Sequence, residues 1–524
     1  MPGDQTDDEL SLLMVNDVSA GQFSFQYPGD VIVIPQNAGV EFLNMQLDKI
    51  GQRSRRKGYT LIANDLGATS ISGLIAYNPA GGSRVLVNET NGVVYTWDGS
   101  AGTWTSSLTS LTVPSDFTEF VVGNGRLFRL GQTDTIRSFN GSTWTNEGSG
   151  NTNFPLCKFA IWTSSQRMLA FNSTGEPSGM FYSNSGDPQV WDRTTNLFRF
   201  GDVDLDGLTG AIEFTNANVM VFTKQEMHQL DISNATPSNW TRQKIADIGC
   251  EAPRTVRLIG EDALFLSRDG VRSIFQSAQD KKRGASLPIS FPIQDYIDRI
   301  NWQYVSKAVA WVWDDQYILS VPLDTSTYNN INLVWSRRAF EANGKRGGWS
   351  VWDSWKANAW ATQNFSTKPR LYYGEASADS KVYFARSSNT ADDPTTDNGT
   401  AISYSETGKR YDFESPHTDK TFQTIEISAL AGDSTALVVS AQIDAGGYTV
   451  LGTIDLSEGL PTLPIALPFN LGGTTKVKKM FDLSQLGRGR DIQIKLTEAT
   501  SGASLDVLGY SITAFVENLE ILTQ

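Results

Sequence analysis

The chain has 524 residues, 40% hydrophobic and 11% aromatic, which is long enough for two or three domains and rich enough in apolar side chains to exclude wholesale disorder. Its 43 basic and 57 acidic side chains leave a net charge of −14, which is not the footprint of a tight nucleic-acid binder, because neutralising phosphates takes clustered Lys and Arg; it is compatible with a surface past which DNA slides without sticking. The two cysteines, Cys157 and Cys250, lie far apart, and no apolar run is long enough to cross a bilayer as a helix, so a disulfide framework, a CxxC metal pair and a membrane-spanning helix are excluded.

In chain order, residues 1–21 open with acidic MPGDQTDDE, which lacks the basic and apolar regions of a signal peptide. They read as a flexible arm, frayed or docked on a neighbour. Residues 22–60 form an N-terminal strand region with a basic loop, in which Arg53, Arg55, Arg56 and Lys57 stand just before Gly58. That run reads either as a solvated loop or as a contact with an acidic partner or passing DNA.

From residue 61 a unit recurs: apolar strands, an Asp-Gly or Asn-Gly turn, and a tryptophan. YTWDGSAGTW at 95–104 and RSFNGSTW at 137–144 are two copies. Looser copies run through Met180-Phe-Tyr182 to Trp191, through the paired hairpins between Gly210 and Phe275, through Ala310–Val321 and through Arg370–Phe384. Asp269-Gly270 between apolar runs is a strong hairpin signal, because Gly tolerates the positive φ of tight turns. A repeat of several short strands predicts an all-β, irregular β-propeller of about six or seven blades over 61–390, since radial stacking buries the half-exposed faces and guards the edges of each sheet. A short rim helix is expected over Ser290–Ile300, with Ser290 as its cap, Pro292 in its first turn and Ile293, Tyr296, Ile297 and Ile300 on one face. Trp349, Trp352, Trp355 and Trp360 read either as a sugar-stacking platform or, more simply, as packing. ADDPTTDNGT at 391–400 reads as a linker, and residues 401–518 as a C-terminal antiparallel β-sandwich.

Chemistry-bearing patterns are few. Asp202, Asp204, Asp206 and Glu213, with Gly207 at the turn, match a calcium-loop spacing, but the flanking LFRF and IEF read as strands where such a loop needs helices, and a solvated acidic turn is the competing reading. Only His228 and His417 are available for histidine chemistry. No zinc spacing, nucleophile elbow, P-loop or dinucleotide fingerprint occurs, and Glu213, Glu226, Glu251 and Asp314 have no context that marks them as a glycosidase pair. No catalytic residue, cofactor or metal is expected.

Several motifs, taken in order, carry a resemblance. They are Arg55-Arg-Lys-Gly-Tyr-Thr60; Gly186-Asp-Pro188 to Trp191 followed by Asp206-Gly207 and Leu208-Thr-Gly210; the strand pair Val219–Phe222 and Met227–Leu230; Gly249-Cys250 with Ala263-Leu-Phe-Leu-Ser-Arg-Asp-Gly-Val271; Ile289–Ile300; and Leu486–Leu496 with Leu508-Gly-Tyr510. Over residues 22–518 this order resembles the tail nozzle (hub, or tubular protein B) family of short-tailed bacteriophages. The resemblance implies a structural virion protein, made in the bacterial host cytoplasm and placed in the tail. It implies a ring, usually of six, below the head–tail adaptor, with tail fibre, spike or needle proteins as neighbours and genomic double-stranded DNA passing through the lumen. It brings no catalytic residues, and the Asp202–Asp206 run becomes a family turn. Two other classes stay open: a host-recognition tail module that binds glycan, and a propeller glycan hydrolase.

Overall fold

The computed structural model describes residues 9–24, 34–47, 49, 51–67, 69–100, 102–114, 116–147, 153–200, 207–280, 287–365, 368–432, 436–459, 476–502 and 504–517. The strands are short and joined by tight turns. Two of the turns, Asn91-Gly92 and Asn124-Gly125, hold both residues at positive φ, the conformation whose twist matches that of the strands they join. The Asp98-Gly99 and Asn140-Gly141 turns of the two sequence copies are built alike: Asp98 accepts from the Ser100 amide and Asn140 from the Ser142 and Thr143 amides.

The first blade is Gly73–Tyr77, Val85–Thr90, Val93–Trp97 and Thr105–Leu108. The second is Glu119–Gly123, Arg126–Leu130, Arg137–Phe139 and Trp144–Asn146. The third and fourth start on Cys157–Trp162 and Gly210–Thr215, and the fifth has three strands, Arg257–Ile259, Asp262–Ser267 and Gly270–Ser273. The last starts on Ala357–Gln363 and takes its outermost strand, Thr60–Leu61, from the N-terminal region, which pairs with Val382–Ser387 and ties the ring shut. These six blades are separate sheets. Between the fifth and the last, the ring is completed by Val309–Trp313, Gln316–Val321, Ile331–Ser336 and Trp349–Trp352, four strands that belong to a larger, ten-stranded sheet. Around the circle the innermost strands touch their neighbours, the 3-10 turn Pro253–Thr255 joining Gly210–Thr215 to Val309–Trp313, and Ala357–Gln363 returns to Gly73–Tyr77.

An apolar core fills each gap. Tyr77, Leu127 and Phe139 lie between the first and second blades, and Phe222, Met227 and Phe265 between the fourth and fifth. Trp352, Trp355, Trp360 and Tyr373 pack where the ten-stranded sheet meets the last blade. All four tryptophans of the 349–360 stretch are buried, so the packing reading holds and a sugar platform there is ruled out. The rim helix is shorter than its pattern: a 3-10 turn, Phe291–Ile293, leads into Gln294–Asp298. Ser290 does not cap it, because its hydroxyl accepts instead from the Val271 amide at 2.9 Å.

The ten-stranded sheet continues from the propeller through Gly21–Gln22 and Ala38–Leu43 to Tyr404–Tyr411, Ile492–Glu498, Leu437–Ile443 and Thr449–Ile454. Its far half faces a seven-stranded sheet that includes Lys420–Leu430, Lys476–Asp482 and Asp506–Val516. Phe42, Phe422, Ile425, Ile494 and Ile512 fill the space between them, which makes the C-terminal region the expected antiparallel sandwich. The N-terminal residues depart from their expected role. Glu9–Val15, read as part of a flexible arm, is a strand paired residue for residue with Val516 back to Tyr510. Ala38–Leu43, Met45–Gln46 and Arg53–Arg55 likewise complete the sandwich rather than standing apart. The acidic residues at the start of the sequence hid an apolar strand whose partner lies at the opposite end of the chain.

Candidate functional site

The basic run 53–57 sits where the propeller, the linker and the sandwich meet. Arg53–Arg55 is a strand against Met45–Gln46 and Asp506–Val507, which turns both arginines into the protein. Arg53 is 1% exposed. Its Nη2 donates to Val15 O at 3.0 Å, Nη1 lies 3.4 Å from Glu406 Oε1, and the head lies over the Tyr510 ring. Burial is the largest single influence and works against its charge, but Glu406 together with Tyr510, Tyr404 and Tyr411 outweighs it and the pKa is raised. Arg55 pairs with Glu498 and donates to Ile402 O at 3.2 Å and Thr500 O at 3.0 Å; there burial wins and the pKa is lowered.

Arg56 is the centre of the joint. It is 2% exposed and grips Asp397 with a parallel pair of bonds, Nη1 to Oδ1 at 2.8 Å and Nη2 to Oδ2 at 2.7 Å. Nε donates to Asn44 Oδ1 at 2.8 Å, Nη2 also to Asp353 O at 3.1 Å, and the guanidinium faces Trp355. Asn44 holds its left-handed backbone, φ 56°, while its side-chain amide donates to Asp353 and Ser403. One planar fork thus joins the N-terminal segment, the Trp352–Trp355 turn of the propeller and the linker, a geometry that lysine cannot reproduce. Nearby, Arg386 pairs with Asp393, so the 391–400 linker is pinned at two carboxylates rather than loose. Gly58 follows because a Cβ there would stand 1.9 Å from Thr396 O.

The sequence reading of Arg53, Arg55 and Arg56 as a contact for a partner or DNA is therefore corrected: their charged heads are buried and bound within the chain. Lys57 is half-exposed and lines a cleft of about 180 Å³ beside Arg386 and Asp506. The residues that sequence reasoning missed are Asn44, Asp353, Asp397, Glu406 and Glu498. Only the acidic run of the linker hinted at them.

The calcium-loop candidates are not brought together as a visible site. Asp202, Asp204 and Asp206 lie outside the described residues. Glu213 is on the inner strand of the fourth blade and accepts from the amides of Ser164 at 2.9 Å and Ala217 at 3.0 Å, tying two blades. Among the described residues, no group of three or more His, Cys, Asp or Glu is placed to hold a metal. Glu226 binds Lys244 and His228, and Asp314 binds Arg338, so each has a partner within the chain.

A second feature is a polar groove of about 980 Å³ on the outer face of the sandwich half of the ten-stranded sheet. Cross-strand neighbours Arg410, Gln493 and Gln442 form one row across it, and Glu41, Thr407 and Lys495 another. Tyr448, 41% exposed, closes one side and donates to Gln493 Oε1 at 2.8 Å.

No protein-family model and no curated protein matches the chain. Among solved structures it is similar to BamB from Moraxella catarrhalis, with a TM-score of 0.36 and 13% identity over 71% of this chain and 97% of that one. It is also similar to the RRP9 WD40 repeats, with a TM-score of 0.38 and 8% identity over 63% of this chain and 98% of that one. Likeness at this level carries no argument about function. The propeller is established by its own strand order and closure.

Proposed function

We propose that this chain is the structural subunit of a phage tail nozzle or hub, a ring through which genomic DNA leaves the virion. The observation that carries the reading is the fusion of propeller and sandwich into one body. A single sheet runs from one to the other, and buried arginines lock the linker between them. A subunit so built transmits load between its modules without a hinge, which suits a conduit. The order of sequence motifs points to the same family, and an acidic subunit suits a lumen that must repel phosphate. The partners on this reading are other copies of the chain, about six, the head–tail adaptor, and the tail fibre, spike or needle proteins. The test is the mass of the purified protein in solution, with electron microscopy of the particles. Closed rings with a hole wide enough for duplex DNA support the proposal, and a strict monomer, alone and with an adaptor, refutes it.

A second reading, host recognition through glycan, rests on the polar groove. Its planar side chains Arg410, Gln442 and Gln493, its matched charges and the Tyr448 ring suit a neutral polyol. Saturable binding of host surface polysaccharide that Tyr448→Ala abolishes supports it; absence of binding by the wild type removes it.

A further inference from the structure

Two strands of equal length in the seven-stranded sheet each have one unpaired edge among the described residues. Among the described residues, Glu9–Val15 pairs with Asp506–Val516 alone, and Lys476–Asp482 pairs with Lys420–Leu430 alone. Each is a strand of seven residues with its outward backbone groups facing away from the sheet. An exposed apolar edge is the arrangement soluble chains avoid, because it templates pairing with another strand. Here the edge is apolar. Leu13 and Val15 turn inward, while Leu10, Leu12 and Met14 on the outer face are 61%, 57% and 61% exposed.

The outer face of the sheet can be followed across its strands. Met14 stands opposite Ser511, Ser511 opposite Glu426 and Glu426 opposite Met480, so Met14 and Met480 occupy one row at the two ends. The middle of the face is polar, with Thr513 and Thr424 in the next row. The second edge carries Lys476, Lys478 and Lys479, all exposed, and Met480 at 61%. The first edge, ELSLLMV, carries no basic residue. One edge is thus apolar, and the other is basic with an exposed methionine and long aliphatic stems, Lys478 being paired with Glu426 of the same face at 2.8 Å. Two lysine edges repel each other, whereas a lysine edge meets no cation on the Glu9–Val15 edge. Laid side by side, Leu10, Leu12 and Met14 are covered by Met480 and by the methylenes of Lys476 and Lys478, whose ammonium groups stay in water.

We propose that the occupant of the Glu9–Val15 edge is the Lys476–Asp482 edge of a second copy of this chain, so that neighbouring subunits share one continuous sheet. The contact is heterologous: each copy offers a different edge to each neighbour. That kind of contact repeats head to tail and closes into a ring when the rotation allows. The inference rests on the ring reading above and supplies its interface.

Disulfide capture tests it. Variants combine Leu10→Cys, Leu12→Cys or Met14→Cys with Lys476→Cys, Lys478→Cys or Met480→Cys. All six positions are exposed, and the native Cys157 and Cys250 are buried and do not compete. Mild oxidation of the correct pair yields a ladder of covalent oligomers on a non-reducing gel, because a bridge forms only where Cα atoms come within about 7 Å. In parallel, Leu12→Lys raises the concentration for half-assembly by roughly tenfold or more, and Lys476→Glu with Lys478→Glu is a second, independently folded check. If the wild type forms rings while no pair cross-links and Leu12→Lys still assembles, the interface is elsewhere: the proposal falls and the ring reading stands. If Leu12→Cys alone captures only dimers, the contact is isologous and the proposal falls. A wild type that stays monomeric at every concentration overturns both.

Discussion

Replacing Arg56 by alanine is the sharpest test of the joint. The guanidinium and Asp397 are both nearly inaccessible, and each satisfies the other through two short bonds. Removing the arginine leaves Asp397 buried without its guanidinium, while Asn44 Oδ1 and the Asp353 carbonyl each lose one donor and keep only the Asp353 and Trp355 amides. Breaking a buried pair from one side costs about 3–5 kcal/mol, since the remaining charge keeps its desolvation penalty. Arg56→Ala is therefore expected to lower the unfolding free energy by about that amount. Because the residue spans the modules, the variant should also split one urea transition into two, read by tryptophan fluorescence at Trp352 and Trp355 and by far-UV circular dichroism. Arg56→Lys is expected to fall between, keeping the charge but losing the fork. Replacing both partners, Arg56→Met with Asp397→Leu, should recover much of the loss, as apolar replacements of buried pairs commonly do. A loss below about 1 kcal/mol for Arg56→Ala, within the range of an exposed ion pair, would refute the claim that this contact holds the joint.

Three further outcomes follow from the same structure. Gly58→Ala, whose Cβ would stand 1.9 Å from the Thr396 carbonyl, should cost about 1–3 kcal/mol in chemical denaturation, and a neutral result would show that the loop shifts freely. Cys157 and Cys250 should resist alkylation in the folded protein at the rate set by unfolding, because burial pushes the Cys157 thiol far up and raises Cys250 to about 12; fast labelling in native buffer would contradict this. His228, buried with Nε2 3.0 Å from Glu226, has its pKa lowered by burial against the pull of Glu226. The unfolded chain then binds the proton first, so this contribution to stability is complete above the unfolded value of 6.5 and is lost as pH falls through the folded value. His228→Gln should flatten the slope of stability against pH over that window in thermal melts.

The parts legible from sequence are those whose cause is local. Asp-Gly and Asn-Gly turns fix strand ends through φ alone, so blades announced themselves at 98–99, 140–141 and 269–270. The rim helix was overdrawn because its apolar spacing is right, while Ser290 had a competing donor in Val271, which sequence spacing does not show. The arginine joint was illegible for a different reason. The partners Asp397, Glu406 and Glu498 lie hundreds of positions from Arg53–Arg56, and a basic run before a glycine has the same local appearance whether it meets water or buried carboxylates. Glu9–Val15 failed similarly: its alternation is that of a strand, but its partner, Asp506–Val516, is the last strand among the described residues.

The buried pairs also change how the net charge should be read. Arg53–Glu406, Arg55–Glu498, Arg56–Asp397, Arg129–Glu89 and Arg386–Asp393 cancel one for one inside the protein. These pairs leave the net charge unchanged, while arginines that would otherwise grip phosphate are withdrawn from the surface. Arginine is the side chain best suited to bidentate phosphate contact, so its internal use matters more than the same number of lysines would. Lys476, Lys478 and Lys479 remain exposed, Lys478 paired with Glu426, and they line the sheet edge that the proposed neighbour covers. On this arrangement assembly and passivation are one event. Joining the edges hides the apolar strand, covers the lysine stems, and leaves to passing DNA a surface with fewer cations to hold it. The proposed conduit would then need no dedicated DNA site, because the chain keeps its arginines inside and joins its lysine edge to a neighbour.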